Sequence, residues 1–298
     1  MKKPTKRLYV QLLIACIVSL ALLLYIVFFT DNGIIFLQKG NSHSDNEADI
    51  VKFLDVGQGD SILISSNGYN ALIDFGNKSD YGVSIVKKLR EYGVKELHCV
   101  VASHYDQDHI GGCAEVLQSI KIHNVVVPEL SDQDDESDED LFYNLQASKA
   151  TVYTAKPGMI INIGDFELTV IGYYPDEKET NDRSVIVMAD IDGIKFFFAG
   201  DAGKDVEDRL MDDRVKLDCD VYKVSHHGSK NSSSKKFIEA LSPEYAVISA
   251  GENNRYGHPH EIVLDILEDA NSKIYRTDVS GDITFSVENS KLSVVTQN

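Results

Sequence analysis

With 298 residues, 43% of them hydrophobic, the chain is long enough for one large or two small domains around a sizeable core. Its formal net charge of −18 argues against a protein that grips nucleic acid over a broad surface, because such binding relies on Lys and Arg neutralising phosphates. A phosphodiester bound at one local site stays open, since divalent ions bring positive charge into a cleft. The cysteines Cys16, Cys99, Cys113 and Cys219 are scattered without paired spacing and imply no disulfide framework.

The N-terminus differs in kind from the rest. Residues 1–7, with Lys2, Lys3, Lys6 and Arg7, read as a cytoplasmic tail, and the uncharged apolar stretch 8–29 is long enough to cross a bilayer as one helix. Basic residues before it and acidic ones after it (Asp31, Asp45, Glu47, Asp49) predict a single-pass protein of the cell membrane whose globular part is extracellular. A cleaved signal peptide is the competing reading, although no small-residue cleavage site stands near Thr30. Residues 30–49, polar and aperiodic from Gln38 onward, read as a flexible linker, and 50–298 as one globular domain.

Within that domain, 50–56, 61–64 and 70–73 read as short strands joined by glycine turns. The spacing of Val83, Val86 and Leu89 predicts a helix over 81–92, and 97–102 reads as a buried strand in which Cys99 is a small hydrophobe. That strand runs into Ser103-His104-Tyr105-Asp106-Gln107-Asp108-His109-Ile110-Gly111-Gly112. Here His104, Asp106, Asp108 and His109 crowd four metal-ligating side chains into six residues. A turn would let His104 and Asp106 face one divalent ion while Asp108 and His109 face a second. Gly111-Gly112 predicts a tight turn into a helix over 110–119, with Cys113 either packing at its start or acting as a weak outer ligand. A strand at 124–127 follows, then the acidic run 132–140, which lacks the glycine and ligand spacing of a calcium loop and reads as a solvated surface loop.

Hairpins return over 159–171 and 184–199, the second closed by Asp192-Gly193. Strand 221–224, helix 233–241, strand 245–248, helix 259–270 and strands near 273–276, 282–287 and 291–295 complete the chain. Two halves with the same strand-then-helix progression imply an α/β (α+β) sandwich, two sheets face to face with helices outside. Further candidates lie at strand ends. Asp74 follows the buried run 71–73 and needs a partner; Asp201, after 195–199, is placed to expose a carboxylate at the sheet edge or to cap a helix. His226 and His227 follow strand 221–224, in a stretch where Lys223, Lys230, Lys235 and Lys236 cluster. Asn181 and Ser184 offer hydrogen bonds to a phosphoryl oxygen, or simply open the strand at 185. Gly257-His258-Pro259-His260 lies at a helix start, a setting for an anion, with His258 as a substrate contact.

The run 103–112, with Phe53-Leu54-Asp55-Val56-Gly57-Gln58-Gly59-Asp60-Ser61 upstream and Ser225-His226-His227-Gly228-Ser229 downstream, resembles the hydrolase domain of ComEC/Rec2 competence proteins and their stand-alone relatives. It is the variant of the metallo-β-lactamase motif His-x-His-x-Asp-His in which Asp106 replaces the second His, and the resemblance covers 50–296. It implies a metallo-β-lactamase-like four-layer αββα sandwich, here after one N-terminal transmembrane helix. It also implies that Asp74 orients the metal loop, that Asp201 bridges both ions, and that one ligand comes from the 226–227 pair. His226 is taken as that ligand beside His104, Asp106, Asp108, His109 and Asp201. His227 is then a substrate contact or a proton donor to the leaving group, with Ser229 beside it.

Between 172 and 184, where the family usually has a further histidine, stands Asn181-Asp182-Arg183-Ser184. With Asp106 also in place of His, the first site trades imidazoles for oxygens, which favours manganese or a single ion over a tight zinc pair; one-ion and two-ion readings, zinc or manganese, both stand. The resemblance implies a membrane-anchored metal-dependent hydrolase, a phosphodiesterase or nuclease acting on DNA. The alternatives are an envelope phosphodiesterase, such as a teichoic acid phosphocholine esterase, and a non-catalytic binding or scaffold protein. DNA or another phosphodiester and the membrane are the expected partners; the sequence indicates no protein partner.

Overall fold

Alternation of apolar side chains builds two mixed sheets in the computed structural model, which describes residues 35–37, 48–78, 84–129 and 136–298. One eight-stranded sheet runs β18 (Lys291–Thr296), β17 (Ile283–Glu288), β2 (Asp49–Phe53), β3 (Ile62–Ser66), β4 (Tyr69–Ile73), β6 (Cys99–Val101), β8 (Asn124–Val127), β9 (Thr151–Thr154). The other runs β1 (Ile35–Leu37), β10 (Ile160–Ile163), β11 (Phe166–Gly172), β12 (Ile186–Ile191), β13 (Ile194–Phe198), β14 (Val221–Lys223), β15 (Tyr245–Ile248), β16 (Lys273–Arg276). A short parallel pair, β5 (Glu96–Leu97) and β7 (Lys121–Ile122), stands apart from both.

Every second residue faces inward. Val51, Phe53, Ile62, Ile64, Val101 and Phe285 from the first sheet meet Leu168, Val187, Phe196, Phe198, Val221 and Val247 from the second in one core. Phe285 sits at its centre, edge-on to Phe53, Phe196 and Tyr245 at 5.9, 5.9 and 5.5 Å. The intervening residues face outward into helices. Leu63, Leu72 and Val100 pack under α1 (Ile85–Glu91), α3 (Cys113–Ser119) and α4 (Glu136–Ala147). Phe197, Tyr222 and Ile248 pack under α5 (Lys204–Asp212), α6 (Lys235–Leu241) and α7 (Glu261–Asp269). The layers are therefore helix, sheet, sheet, helix. The hairpin between β12 and β13 turns at Asp192 and Gly193, both with positive φ (51° and 82°), as a tight two-residue loop requires.

The expected membrane span, 8–29, lies outside the described residues; among the described residues no helix is long and apolar enough to cross a membrane. The expected linker 30–49 is not uniform, because Ile35–Leu37 pairs in parallel with β10 and Asp49 already opens β2. The acidic run expected as a loop over 132–140 enters α4 at Glu136. Leu141 and Leu145, four residues apart, bury one face of that helix, a period that the density of charge conceals. β9 and α5 went unread, although Val206 and Leu210 in α5 show the same four-residue spacing. Cys113 is buried in the outer core of the first sheet, and burial pushes its thiol up to about 12, as befits a packing residue.

Replacing Phe285 by alanine should cost about 3–5 kcal/mol of folding stability, while replacing Val295, 64% exposed on the edge strand β18, should cost little. Urea unfolding followed by circular dichroism checks both.

Candidate metal centre

Adjacent parallel strands deliver their C-terminal ends to the same edge of a sheet, and the centre is built there. In the first sheet β4 ends at Asp74 and its parallel neighbour β6 at the loop 103–110; in the second, β13 leads to Asp201 and its parallel neighbour β14 to His226 and His227. Asp74, His226 and His227 have φ of 61°, 49° and 53°, so the chain turns sharply through the left-handed region as it leaves each strand. Gly59, with φ of 140°, lets the loop after β2 press against the metal loop: a Cβ there would overlap the Asp108 carbonyl oxygen, which instead accepts the Asp60 N–H at 3.1 Å.

Each central imidazole is fixed through Nδ1 and presents Nε2. His109 Nδ1 donates to Asp74 Oδ2 (2.8 Å), His227 Nδ1 to the Ser249 carbonyl (2.9 Å), and His104 Nδ1 lies 3.0 Å from Ser103 Oγ. Ser103 Oγ is itself a donor to Asp74 Oδ2 (2.7 Å), so it accepts from His104. Asp74, fully buried, is satisfied by these contacts and by the Ser103 N–H (2.7 Å). The partners thus assign lone pairs to all three Nε2 atoms. His109 Nε2 lies 3.2 Å from Asp201 Oδ1 and 3.4 Å from His227 Nε2, and His227 Nε2 lies 3.3 Å from Asp108 Oδ2 and 3.5 Å from Asp201 Oδ2.

Acceptors converge without donors between them, and a cation relieves that. His104 Nε2 and Asp201 Oδ1 are buried and make no hydrogen bond. The ligand atoms of His104, His109 and Asp201 lie within 4.8 Å of one another, as do those of Asp108, His109 and His227 and those of Asp60, Asp201 and His227. Mixed imidazole and carboxylate donors of this kind fit a borderline divalent ion. The electrostatics agree. Burial alone would keep His109 and His227 neutral, yet Asp201 with Asp74 in one case, and Asp201 with Asp60 and Asp108 in the other, raise their pKa values. Despite burial, His227 and His109 hold Asp201 well below the usual carboxylate range. The field that favours a proton on these nitrogens favours a divalent cation there too, and the two compete for the same lone pairs.

The sequence-predicted residues divide. His104, Asp108, His109 and Asp201 are brought together, with Asp74 behind them. Asp201 does not cap α5, whose N-cap is Gly203. Of the adjacent pair, His227 enters the cluster and is buried, whereas His226 Nε2 stays 3.7 Å from Asp201 Oδ2 and outside every close group among the described residues. The geometry thus places His227, not the expected His226, in the cluster: with left-handed φ at both residues, the second ring is the buried one. Asp106 stands at the N-cap position of the short helix α2 (Gln107–Ile110) without a side-chain capping bond, its carboxylate 42% exposed and 3.8 Å from His104 Nε2, and it joins none of the close groups among the described residues.

Among the expected substrate contacts, Ser184 is fully buried, donates to the Asn181 carbonyl (2.7 Å) and accepts the Asp201 N–H (3.1 Å), so it shapes the loop and does not reach the cleft. Ser229 is buried too, its N–H on the His226 carbonyl (2.8 Å). Asn181 Nδ2 approaches His226 Nε2 at 3.4 Å, and the half-buried His258 lies over His226 and His227 at 5.6 and 6.4 Å between ring centroids.

Lys223, expected near the 226–227 loop, is joined at the centre by Asp60 and Ser103, which no spacing in the sequence marks as site residues. Lys223 Nζ and Asp60 Oδ2 pair at 2.6 Å, both buried, and Asp60 Oδ1 lies 3.5 Å from His227 Nδ1. The available signal was Lys223 itself, two residues after Val221 and so on the inward face of β14, where an ammonium needs a buried carboxylate. Lys235 and Lys236, expected near the site, instead pair with Asp269 and Asp208 on the outer helices.

A sandwich of two mixed sheets with imidazoles and carboxylates at one strand edge defines a metal-site protein class. A metallo-beta-lactamase superfamily profile matches residues 54–252, and the chain belongs to that superfamily. It is 31% identical over 264 residues to ComE operon protein 3 of Bacillus subtilis (strain 168), covering 83% of this chain and 34% of that protein. To Competence protein ComA of Neisseria gonorrhoeae it is 32% identical over 247 residues, covering 82% and 33%. The chain spans about a third of the length of the curated relatives it matches. Igni18, a metallo hydrolase from the hyperthermophilic archaeon Ignicoccus hospitalis, shares the fold at a TM-score of 0.54 and 14% identity, over 80% of this chain and 100% of that chain. The relation to ComEC/Rec2 proteins implied by the three motifs holds.

Metal titration of variants separates the two histidines. His227→Ala should lose bound manganese or zinc that His226→Ala retains, measured by elemental analysis after equilibrium dialysis. Asp74→Asn, which keeps the shape but reverses a hydrogen bond, should weaken metal binding by roughly 10–100-fold.

Proposed function

We propose that the chain is a metal-dependent phosphodiesterase that cleaves DNA outside the cell, held in the membrane by residues 8–29. The observation that carries the hydrolase reading is the convergence of Nε2 atoms from His104, His109 and His227 with the carboxylates of Asp108 and Asp201 in one buried space. One or two divalent ions held there, zinc or manganese, supply Lewis acidity toward a phosphoryl oxygen and toward water. The chain's own residues set the rest. Asp74 holds the His109 ring, Ser103 that of His104, and Ser249 with Asp60 that of His227. Asp108, a quarter exposed, opens the cluster toward solvent, and despite burial the neighbouring His227 and His109 rings hold its carboxyl below the usual carboxylate range.

His258 serves the substrate. Burial and the charges of His227 and His226 push its pKa down to about 4, so at neutral pH it is an uncharged ring able to donate one N–H to a phosphoryl oxygen. DNA as substrate is supported by the likeness to competence proteins. Outward orientation is supported by the basic flank of residues 1–7 and the acidic one after residue 30. The charge of −18 favours a second reading, an envelope phosphodiester whose alcohol carries a cation, such as phosphocholine on teichoic acid.

The test is cleavage of fluorescent single- and double-stranded DNA, of bis-p-nitrophenyl phosphate and of a phosphocholine diester by the full-length chain with manganese or zinc. The reading expects DNA cleavage that Asp108→Ala and His227→Ala lower by more than the roughly 10–100-fold carried by outer partners of a metal ligand. Turnover of the phosphocholine diester alone would move the assignment to the envelope, and bound metal without turnover would make the chain a binding or scaffold protein. Anchoring predicts sedimentation with membranes and, in intact cells, digestion of the domain by added protease.

A further inference from the structure

Beside Asp108 a cleft of about 540 Å³ leads away from the centre, walled by Gln58 and Lys78 on one side and by Arg255 and Tyr256 on the other. Its second wall is prebuilt. Asn254 Oδ1 accepts the N–H groups of Tyr256 (3.2 Å) and His258 (3.0 Å), and Asn254 Nδ2 donates to the carbonyls of Gly251 (3.0 Å) and His258 (2.6 Å). Gly251 in turn donates to Gln58 Oε1 (3.2 Å) and lies so close to Gln58 that a Cβ would strike its backbone nitrogen. A loop clamped from both ends presents its side chains in a fixed direction.

Those side chains form a ladder. The Tyr256 ring, 46% exposed, lies nearly parallel to His258 (5.6 Å, 21°), and His258 nearly parallel to His227 (6.4 Å, 27°), so flat faces step from solvent to the metal cluster. The Arg255 guanidinium lies over the Tyr256 ring, 4.8 Å from its centroid, and donates to its hydroxyl (2.6 Å), so a base reaches that ring face as the guanidinium swings off it. Among the described residues it makes no ion pair, in a chain where Lys235, Lys236, Arg209 and Lys273 are each matched by a carboxylate. On the facing wall Lys78 pairs with Asp140 at 3.3 Å, both well exposed, a contact that an incoming anion can displace at little cost.

A fixed aromatic ring covered by an exchangeable, unmatched guanidinium is the chemistry that takes one nucleotide of an unpaired strand, the guanidinium moving from ring to phosphate as the base stacks. We propose that this cleft binds the nucleotide next to the scissile phosphodiester of a single-stranded nucleic acid, with Tyr256 stacking its base and Arg255 pairing with its phosphate. The inference rests on the phosphodiesterase reading and sharpens it. It makes Arg255 and Tyr256 specificity-determining residues, and it reconciles a nucleic-acid substrate with a net charge of −18, since the strand is gripped at one nucleotide and not along a groove.

Equilibrium binding tests the subsite independently of turnover. A short fluorescein-labelled single-stranded oligonucleotide is titrated with the full-length chain at several salt concentrations, read by anisotropy, with metal content measured for every variant. Arg255→Ala should bind about tenfold more weakly and shift the slope of log affinity against log salt by about 0.7, one phosphate contact, with Arg255→Lys restoring the slope. Tyr256→Ala should lose about tenfold with the wild-type slope, and Tyr256→Phe should retain binding. Lys273→Ala, the same change of charge at the start of β16 on the sheet edge away from the centre, should leave both at wild type. Wild-type affinity in Arg255→Ala and Tyr256→Ala, or an Arg255→Ala loss without a change of slope, overturns the proposal; so does a wild-type chain that does not bind the strand, even if it hydrolyses a small diester. Binding through both residues by a chain that turns over no phosphodiester keeps the subsite and sinks the hydrolase reading.

Discussion

Three imidazoles turn lone pairs, and two carboxylates turn oxygens, toward the same buried space, and a protein can hold so many acceptors together only by fixing each from behind. Asp74 does most of this. Its carboxylate takes the Ser103 N–H, the Ser103 hydroxyl and the His109 ring proton, which settles the start of the metal loop, the hydroxyl that receives His104, and the tautomer of His109 together. A buried carboxylate with three donors is satisfied where a bare one would be costly to bury. The gathered acceptors then form a space whose natural occupant is a cation, so the binding energy of the ion offsets the repulsion that assembling the site creates.

The centre also depends on the seam between the sheets. Asp74, His104, Asp108 and His109 come from one sheet and Asp201 and His227 from the other, so a shift of one sheet over the other by a fraction of a side chain would separate them. The apolar core resists separation but not sliding, because hydrophobic burial has little direction. The buried Lys223–Asp60 pair supplies direction. Lys223 rises from the inward face of β14 and meets a carboxylate on the loop after β2, and that loop also carries Gly59 against Asp108. Removing one partner of such a pair typically costs about 3–5 kcal/mol, while an apolar replacement of both can be neutral for stability. Placed on the seam beside His227, the pair is positioned to fix register between the sheets, a role that a Lys223→Met, Asp60→Leu double variant tests by whether metal binding falls without loss of stability.

This division explains what could be read from the residues. Period-two alternation in the strands and the crowding of His and Asp over 104–109 are local patterns, and both the sandwich and the ligand loop were legible from them. The choice between His226 and His227 was not, because it turns on two consecutive left-handed residues that point the second ring inward, and no spacing rule encodes that. Ser184 stands beside Asp201 as a substrate donor would, yet its hydroxyl donates to the Asn181 carbonyl and accepts the Asp201 N–H. The pairing of Ile35–Leu37 with β10 joins positions more than a hundred residues apart in a stretch without a period of its own. In α4 the acidic side chains masked a helix whose evidence is only Leu141 and Leu145.

Charge poses the last constraint. A chain carrying −18 repels a polyanion at a distance, yet at physiological ionic strength fields between exposed charges fade over about 8 Å. Seven of the 47 carboxylates lie in the run 132–140, while the edge that carries the metal centre sets the imidazoles and Arg255 beside Asp108 and Asp201. Approach is thus slowed by the whole surface and decided by short contacts at the edge. A protein that neutralises few phosphates releases few counterions and holds a strand weakly. For a store of nucleic acid that would be a defect; in the nuclease proposed above, the cut strand would leave readily and selectivity would rest on what the cleft can stack and pair.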